Sequence, residues 1–321
     1  MQFLTRLVDG HVCAYRRDGD DEGPLRPVAR WRPCAGDEVV GHAADPSLGR
    51  AYYTTLHAVV CVAADGGQVW RSDFAPRSDE RYGHRPGCAL SADGRALWVY
   101  RPDAMAGRGR PDQWTVLDTG TGAALASADL GTVGHSGLQF LHPASGEVLL
   151  DVGEGQDGAA VHRASLADGR IDLVRYPWDD RCLLGLAPDG RHFMTVDHAQ
   201  ADIALHTYPD GEVEFTLPVA AFGHDPEAAR VEWSGGYLDA DTVIVTLVGE
   251  SDGYGGSDGS GDEGDEGAEE WTRRYLVDTR TGRVRGAFDA RTEELYDVRP
   301  LGDGSWLTTA PSGHPVRRSA R

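Results

Sequence analysis

The sequence predicts an all-β fold built from one four-stranded unit used again and again, and three observations predict it. A complete unit can be read between Pro86 and Leu130, two independent series of turn signals recur with its length, and the same framing fits nearly all 321 residues. A repeat of roughly 40 to 50 residues made of short strands is the signature of a β-propeller, each unit being one blade.

Inside that unit, Cys88 to Ser91 is a short first strand. Ala92-Asp93-Gly94 ends it, because aspartate accepts hydrogen bonds from the backbone ahead of it and glycine tolerates positive φ. Arg95 to Tyr100 and Trp114 to Leu117 are aromatic and β-branched and read as the second and third strands, joined by the longer loop Arg101 to Gln113. Asp118-Thr119-Gly120-Thr121-Gly122 then turns the chain into a fourth strand, Ala123 to Leu130.

The first turn recurs at Gly49, Gly94, Gly146, Gly190, Asp239-Ala240 and Gly304, spaced by 44 to 52 residues and by 64 at the end, where an acidic insertion intervenes. The second recurs at Asp65-Gly66-Gly67, Ala167-Asp168-Gly169, Pro209-Asp210-Gly211 and Thr279-Arg280-Thr281-Gly282. Before the first full unit, Phe3 to Val8, His11 to Arg16 and Leu25 to Trp31 read as the last three strands of a unit lacking its first. After the last, Leu295 to Leu301, Ser305 to Thr309 and His314 to Ser319 add three more. The total of 26 strands lies between the 24 of six blades and the 28 of seven. Seven four-stranded blades are preferred, with one blade shared by both termini at a seam, since such closure removes exposed sheet edges. Six blades and a spare hairpin are the alternative.

Composition excludes several chemistries. The chain has no lysine and no asparagine, so all 31 basic residues are arginine. Schiff-base enzymes, phosphate-loop NTPases and protein kinases, which need a lysine, are excluded. A net charge of −20 disfavours nucleic acid and anionic membranes as partners, because both are bound by neutralising phosphate. Nine of the 51 carboxylates fall in Glu250 to Glu270 with no base among them, and the remainder is still acidic. That Gly-rich stretch is expected to be a disordered loop inserted within one blade, because its like charges repel and it has nothing to bury. Five scattered cysteines suit free thiols in a reducing compartment. With no apolar run of about 18 residues and no signal-peptide core after Met1, the expectation is a soluble, cytoplasmic, single-domain monomer.

Gly41-His42, Gly83-His84, Gly134-His135 and Gly223-His224 each precede a first strand, and Trp114-Thr115-Val116-Leu117-Asp118 and Tyr275-Leu276-Val277-Asp278 end a third. In this the chain resembles the WD-repeat family, whose blades open near Gly-His and close at Trp-Asp, although only the aspartate is kept. Strand ends of the form Val-x-Asp-x-x-Thr-Gly are also similar to YVTN and quinoprotein-type propellers. The resemblance implies that the loops between second and third strands, and those joining blades, share one top face.

Several candidate functional residues fall on that face. Arg77, Arg81, His84, Arg85, Arg101, Arg108 and Arg110 come from neighbouring loops, and arginine offers a planar fork to carboxylate or phosphate; the competing reading is solubility in an arginine-only chain. Trp178 stands beside Asp179, Asp180 and Arg181 in an inter-blade loop, either as a contact residue or as a plug. The other seven tryptophans, Trp233 among them, fall in or beside strands and read as blade packing. His192, His198 and His206, with Asp197 and Asp202, have the chemistry of metal ligands, but their strands hold them at opposite ends. Asp258, Ser260, Asp262 and Glu269 match positions of a calcium loop, yet Glu263 stands where that loop needs glycine. Gly255-x-Ser257-x-Gly259 copies a nucleophile elbow without the strand and helix that make one. No metal and no cofactor are therefore expected. The favoured function is a non-enzymatic scaffold binding a protein or ligand through top-face loops. A lactonase-like or quinoprotein-like enzyme is the alternative, and calcium-dependent gluconolactonase-like propellers, which use an asparagine ligand, fit poorly.

Overall fold

In the computed structural model, residues 3–18, 22–78, 80, 84–178, 180–251 and 269–319 are described, with no side-chain placement for 251 and 269. Arg81, Asp179 and the acidic insertion, with its calcium-like and elbow-like patterns, lie outside them. The described strands form seven sheets, and the fold is a β-propeller with seven blades.

The first sheet holds β1 (Phe3–Val8), β2 (His11–Arg16) and β4 (Ala29–Trp31). The second holds β5 (Gly41–Ala44), β6 (Arg50–Thr54), β7 (Ala58–Ala63) and β8 (Gln68–Asp73). The third holds β9 (Gly87–Leu90), β10 (Ala96–Arg101), β11 (Gln113–Asp118) and β12 (Ala124–Asp129). β13 (Ser136–Leu141), β14 (Val148–Gly153), β15 (Ala159–Ala167) and β16 (Arg170–Arg175) make the fourth. β17 (Arg181–Leu186), β18 (His192–Asp197), β19 (Asp202–Thr207) and β20 (Val213–Pro218) make the fifth. β21 (Ala229–Asp239), β22 (Thr242–Ser251), β23 (Glu269–Asp278) and β24 (Val284–Ala287) make the sixth. The seventh runs β25 (Arg299–Pro300), β26 (Ser305–Thr309), β27 (Pro315–Ser319) and β3 (Gly23–Pro24). Among the described residues the only helical pieces are two 3-10 turns, Gly155–Asp157 and Val219–Phe222.

Second and third strands are buried on both faces, which is why Ala58–Ala63 and Ala96–Arg101 read as nearly unbroken apolar runs. Fourth strands such as Ala124–Asp129 and Val213–Pro218 are largely exposed. Chain contacts divide into two compact units, Met1–Leu183 with Thr309–Ser319, and Leu184–Thr308. In the first unit, Trp98 and Trp114 pack at 4.8 Å within a core shared by the third and fourth sheets. In the second unit, Met194, Ile203, Val231 and Val245 fill the space between the fifth and sixth.

The seam differs from the expected strand Leu25 to Trp31. Gly23–Pro24 leaves the first sheet and pairs with β27, Val316 opposite Pro24 and Arg317 opposite Gly23, and only Ala29–Trp31 stays with β2. Leu25 N–H donates to the Pro315 carbonyl at 2.8 Å, and the Ser319 amide and hydroxyl both donate to Glu22 Oε1. Both ends of the chain thus share one blade, the arrangement preferred over six blades and a spare hairpin. The expected strand Leu295 to Leu301 shrinks to Arg299–Pro300, because Ser234 and Arg274 take up the carbonyls of 292–295 instead.

The Asp-x-x-Thr-Gly turn has a physical reason. Asp118 Oδ1 accepts the Thr121 amide at 2.8 Å and the Thr121 hydroxyl at 2.7 Å, and Gly122 follows at φ 73°. Asp278 repeats this with Thr281 and Gly282, and its hydrogen bonds, led by that from Arg285, hold its carboxyl down to about 2. Both glycines lie against an aromatic ring of the preceding sheet, Trp70 and Phe215 respectively.

Candidate functional site

The loop between β10 and β11 begins and ends on the same tripeptide, Arg101-Pro102-Asp103 and Arg110-Pro111-Asp112. Both aspartates are fully buried. Asp103 receives three guanidiniums: Arg108 at 3.0 Å, Arg110 at 2.7 Å and Arg101 at 3.1 Å. Arg108 also donates to the carbonyls of Pro76, in the loop from the second sheet to the third, and of Leu56, in the β6–β7 loop, each at 3.0 Å. Its side chain has no exposed surface, whereas that of Arg110 is 37% exposed. Arg101 and Arg108 lie over the Phe74 ring at 4.6 and 5.5 Å. Burial pulls both guanidiniums below the ordinary arginine value, and the Asp103 charge opposes this.

Asp112 closes the other end of the loop. It accepts the Gly134 amide at 2.6 Å, the Thr132 hydroxyl at 2.9 Å, the Tyr100 hydroxyl at 3.0 Å and the Ala104 amide at 3.1 Å. Burial still raises its carboxyl above the usual range, against those bonds. Neither aspartate was singled out in the sequence, although the doubled Arg-Pro-Asp was there to be noticed.

The candidate residues part company in the structure. Arg101, Arg108 and Arg110 come together on Asp103. His84 is buried at 2% exposure and presents no surface, so it stands apart from a basic patch. Arg85 is exposed, its backbone bridging to the fourth sheet through the His135 carbonyl at 2.7 Å. Trp178 is half-buried and stacks on Tyr176, with ring centroids 4.8 Å apart and planes 7° from parallel. Asp180 is exposed and Arg181 half-buried at the start of β17.

In the second unit the three histidines serve different ends. His206 is buried, bonded to the Thr195 hydroxyl at 2.8 Å and stacked on Phe193 at 5.0 Å, while His192 meets Glu214 at 3.3 Å and His198 faces the Trp233 ring at 6.0 Å. No group of three potential metal ligands occurs among the described residues. Trp233 departs from blade packing: it is 39% exposed.

A further carboxylate titrates outside its ordinary range. Asp151, on β14, accepts the Leu183 amide at 3.0 Å, and the protein enclosing it pushes its carboxyl up to about 7 although its side chain keeps partial access to solvent. An ordinary aspartate titrates at 3.8, so the unfolded chain releases this proton first. Stability is therefore fully present below that value and lost as pH rises through about 7. Asp151→Asn keeps the acceptor without the charge. It is expected to raise the melting temperature above pH 7 and leave it unchanged near pH 4; equal shifts at both pH values would refute the assignment.

No family model matches the chain, and no curated protein sequence matches it. Solved structures do. Kuenenia stuttgartiensis hydrazine synthase is 13% identical, over 84% of this chain and 72% of that one, with a TM-score of 0.53. The dihydro-heme d1 dehydrogenase NirN, in complex with DHE, is 15% identical over 97% of this chain, with a TM-score of 0.55. This chain spans 58% of that protein's length. The Dos1 propeller is 11% identical over 96% of this chain and 89% of that one, with a TM-score of 0.53. At these identities the likeness is one of fold. Among the described residues no helix is long and apolar enough to cross a membrane.

Proposed function

We propose that the protein is a non-enzymatic binding scaffold that meets its partner, a protein or a ligand, through the loops joining successive sheets and those joining second to third strands. The observation that supports this is Arg108. It ties the 102–112 loop to the loops at Leu56 and Pro76, so that three segments on one side of the first unit hold one fixed geometry. Surfaces ordered before contact lose less entropy on binding. Of the three guanidiniums on Asp103, that of Arg110 keeps solvent access and offers a planar fork suited to a carboxylate or phosphate of the partner. Cytoplasmic residence belongs to the same reading, supported by five scattered cysteines, none joined in a disulfide.

The test is capture of partners by immobilised protein, or ligand-induced thermal shift, with three single variants. Trp178→Ala and Arg85→Ala are expected to weaken capture several-fold at nearly unchanged melting temperature. Arg95→Ala, exposed at the β9–β10 turn on the opposite side, is expected to change neither. Loss of capture with Arg95→Ala alone would place the binding face on the other side.

A further inference from the structure

β21 is interrupted. Val231 pairs with Leu247 and Gly235 with Val245, so Glu232, Trp233 and Ser234 stand opposite Thr246 alone. Gly235 and Gly236, at φ 144° and 127°, take conformations closed to other residues and let the strand resume after this three-residue bulge. Bulges re-aim side chains, and here the result is an exposed tryptophan beside a buried carboxylate. Glu232 is 4% exposed and Trp233 39%. Tyr296, from the loop after the sixth sheet, is 66% exposed yet turns its hydroxyl onto Glu232 Oε1 at 2.8 Å. That loop is held by Arg274, which donates to the carbonyls of Thr292 at 3.0 Å and Glu294 at 2.8 Å, and by Ser234, which donates to that of Leu295 at 2.8 Å.

Only neutral donors reach Glu232 among the described residues: the Trp233 amide at 3.0 Å and the Tyr296 hydroxyl. Arg230, two positions away, pairs with Glu270 instead at 3.3 Å. A buried carboxylate without a cation is costly, and its field is poorly screened. Two aromatic faces exposed beside it add the attraction of their π systems for positive charge. We infer that the Glu232–Trp233–Tyr296 bulge is a docking point for a cationic side chain, arginine or lysine, of a partner protein. The inference rests on the scaffold reading and specifies a second contact for it. The charge of the whole chain, −20, favours approach of such a partner.

The test uses the full chain carrying 5-fluorotryptophan, with the Trp233 resonance assigned by Trp233→Phe, in about 0.15 M salt so that distant charges are screened. The probes are acetyl-Gly-Arg-Gly-amide, its lysine counterpart, and the citrulline peptide, which keeps the shape of arginine without its charge. The cationic peptides are expected to shift the Trp233 resonance and the citrulline peptide to leave it in place. Glu232→Gln is expected to weaken binding about tenfold, equivalent to 1.4 kcal/mol. Tyr296→Ala, a change on an exposed ring, provides a second variant and is expected to weaken binding in the same sense. A Trp233 resonance that ignores arginine and lysine, responds equally to citrulline, or responds unchanged in Glu232→Gln would overturn the inference. If Trp178→Ala still weakens partner capture in that event, the scaffold reading stands and this contact alone fails.

Discussion

Asp103→Ala is expected to destabilise the protein by about 3–5 kcal/mol, the usual result of removing one partner from a buried ion pair. The wild-type cluster places three guanidiniums on one fully buried carboxylate, and one of them, on Arg108, has no exposed side-chain surface. Without Asp103, Arg108 keeps its bonds to the Pro76 and Leu56 carbonyls but loses the charge that justified burying it. At roughly 2–4 °C per kcal/mol for a domain of 150–250 residues, the melting temperature should fall on the order of 10 °C. Replacing Asp103 together with its fully buried partner separates charge from packing. Asp103→Leu with Arg108→Met should recover part of the loss, because the buried guanidinium goes with its carboxylate while Arg101 and Arg110, which keep some solvent access, still lose theirs. An Asp103→Ala variant within about 1 kcal/mol of wild type would mean that the three loops are held by something else, and the support for a preorganised binding face would go with it.

The fold was legible because it depends on short-range rules used many times over. Phe3–Val8, His11–Arg16 and Ser305–Thr309 match their expected limits, since alternation and flanking turns mark such strands locally. Gly23–Pro24 was not legible as a strand: two residues carry no periodicity, and their pairing with Val316 and Arg317 is a fact about the far end of the chain. The candidate site was less legible still. Arg101, Arg108 and Arg110 were found by residue type, but their convergence on Asp103 depends on how one loop folds over two others. A solubility reading and a buried ion cluster use the same residues, and only burial separates them. Trp233 shows the converse. Its place within a strand argued for packing, and the signal against it was Gly235-Gly236, where paired glycines in a strand mark a bulge.

Gly122→Ala should cost about 3 kcal/mol, from two sources that a second variant separates. At φ 73° an alanine is held in the left-handed region, with strain of about 1–3 kcal/mol. Its methyl would also stand 2.6 Å from Trp70 Cε3 and 2.7 Å from Cδ2, inside contact distance. The ring cannot simply step aside, because Trp70 Nε1 donates to the Thr119 carbonyl at 3.0 Å within the same turn, and overpacking of this kind costs about 1–3 kcal/mol. Gly146 has nearly the same backbone, φ 75°, with nothing within 4 Å of a new methyl. Gly146→Ala therefore reports the backbone cost alone, and the difference between the two variants reports the Trp70 contact. A larger loss for Gly122→Ala, with altered near-ultraviolet dichroism from Trp70, is the expected result. It would mean that the recurring Asp-x-x-Thr-Gly does two things at once. The aspartate and threonine close the turn, and the glycine lets the fourth strand of one blade lay an aromatic ring against the turn of the next. Equal losses in the two variants would reduce the motif to turn chemistry, and the packing between the second and third sheets would have to rest on their buried apolar faces alone.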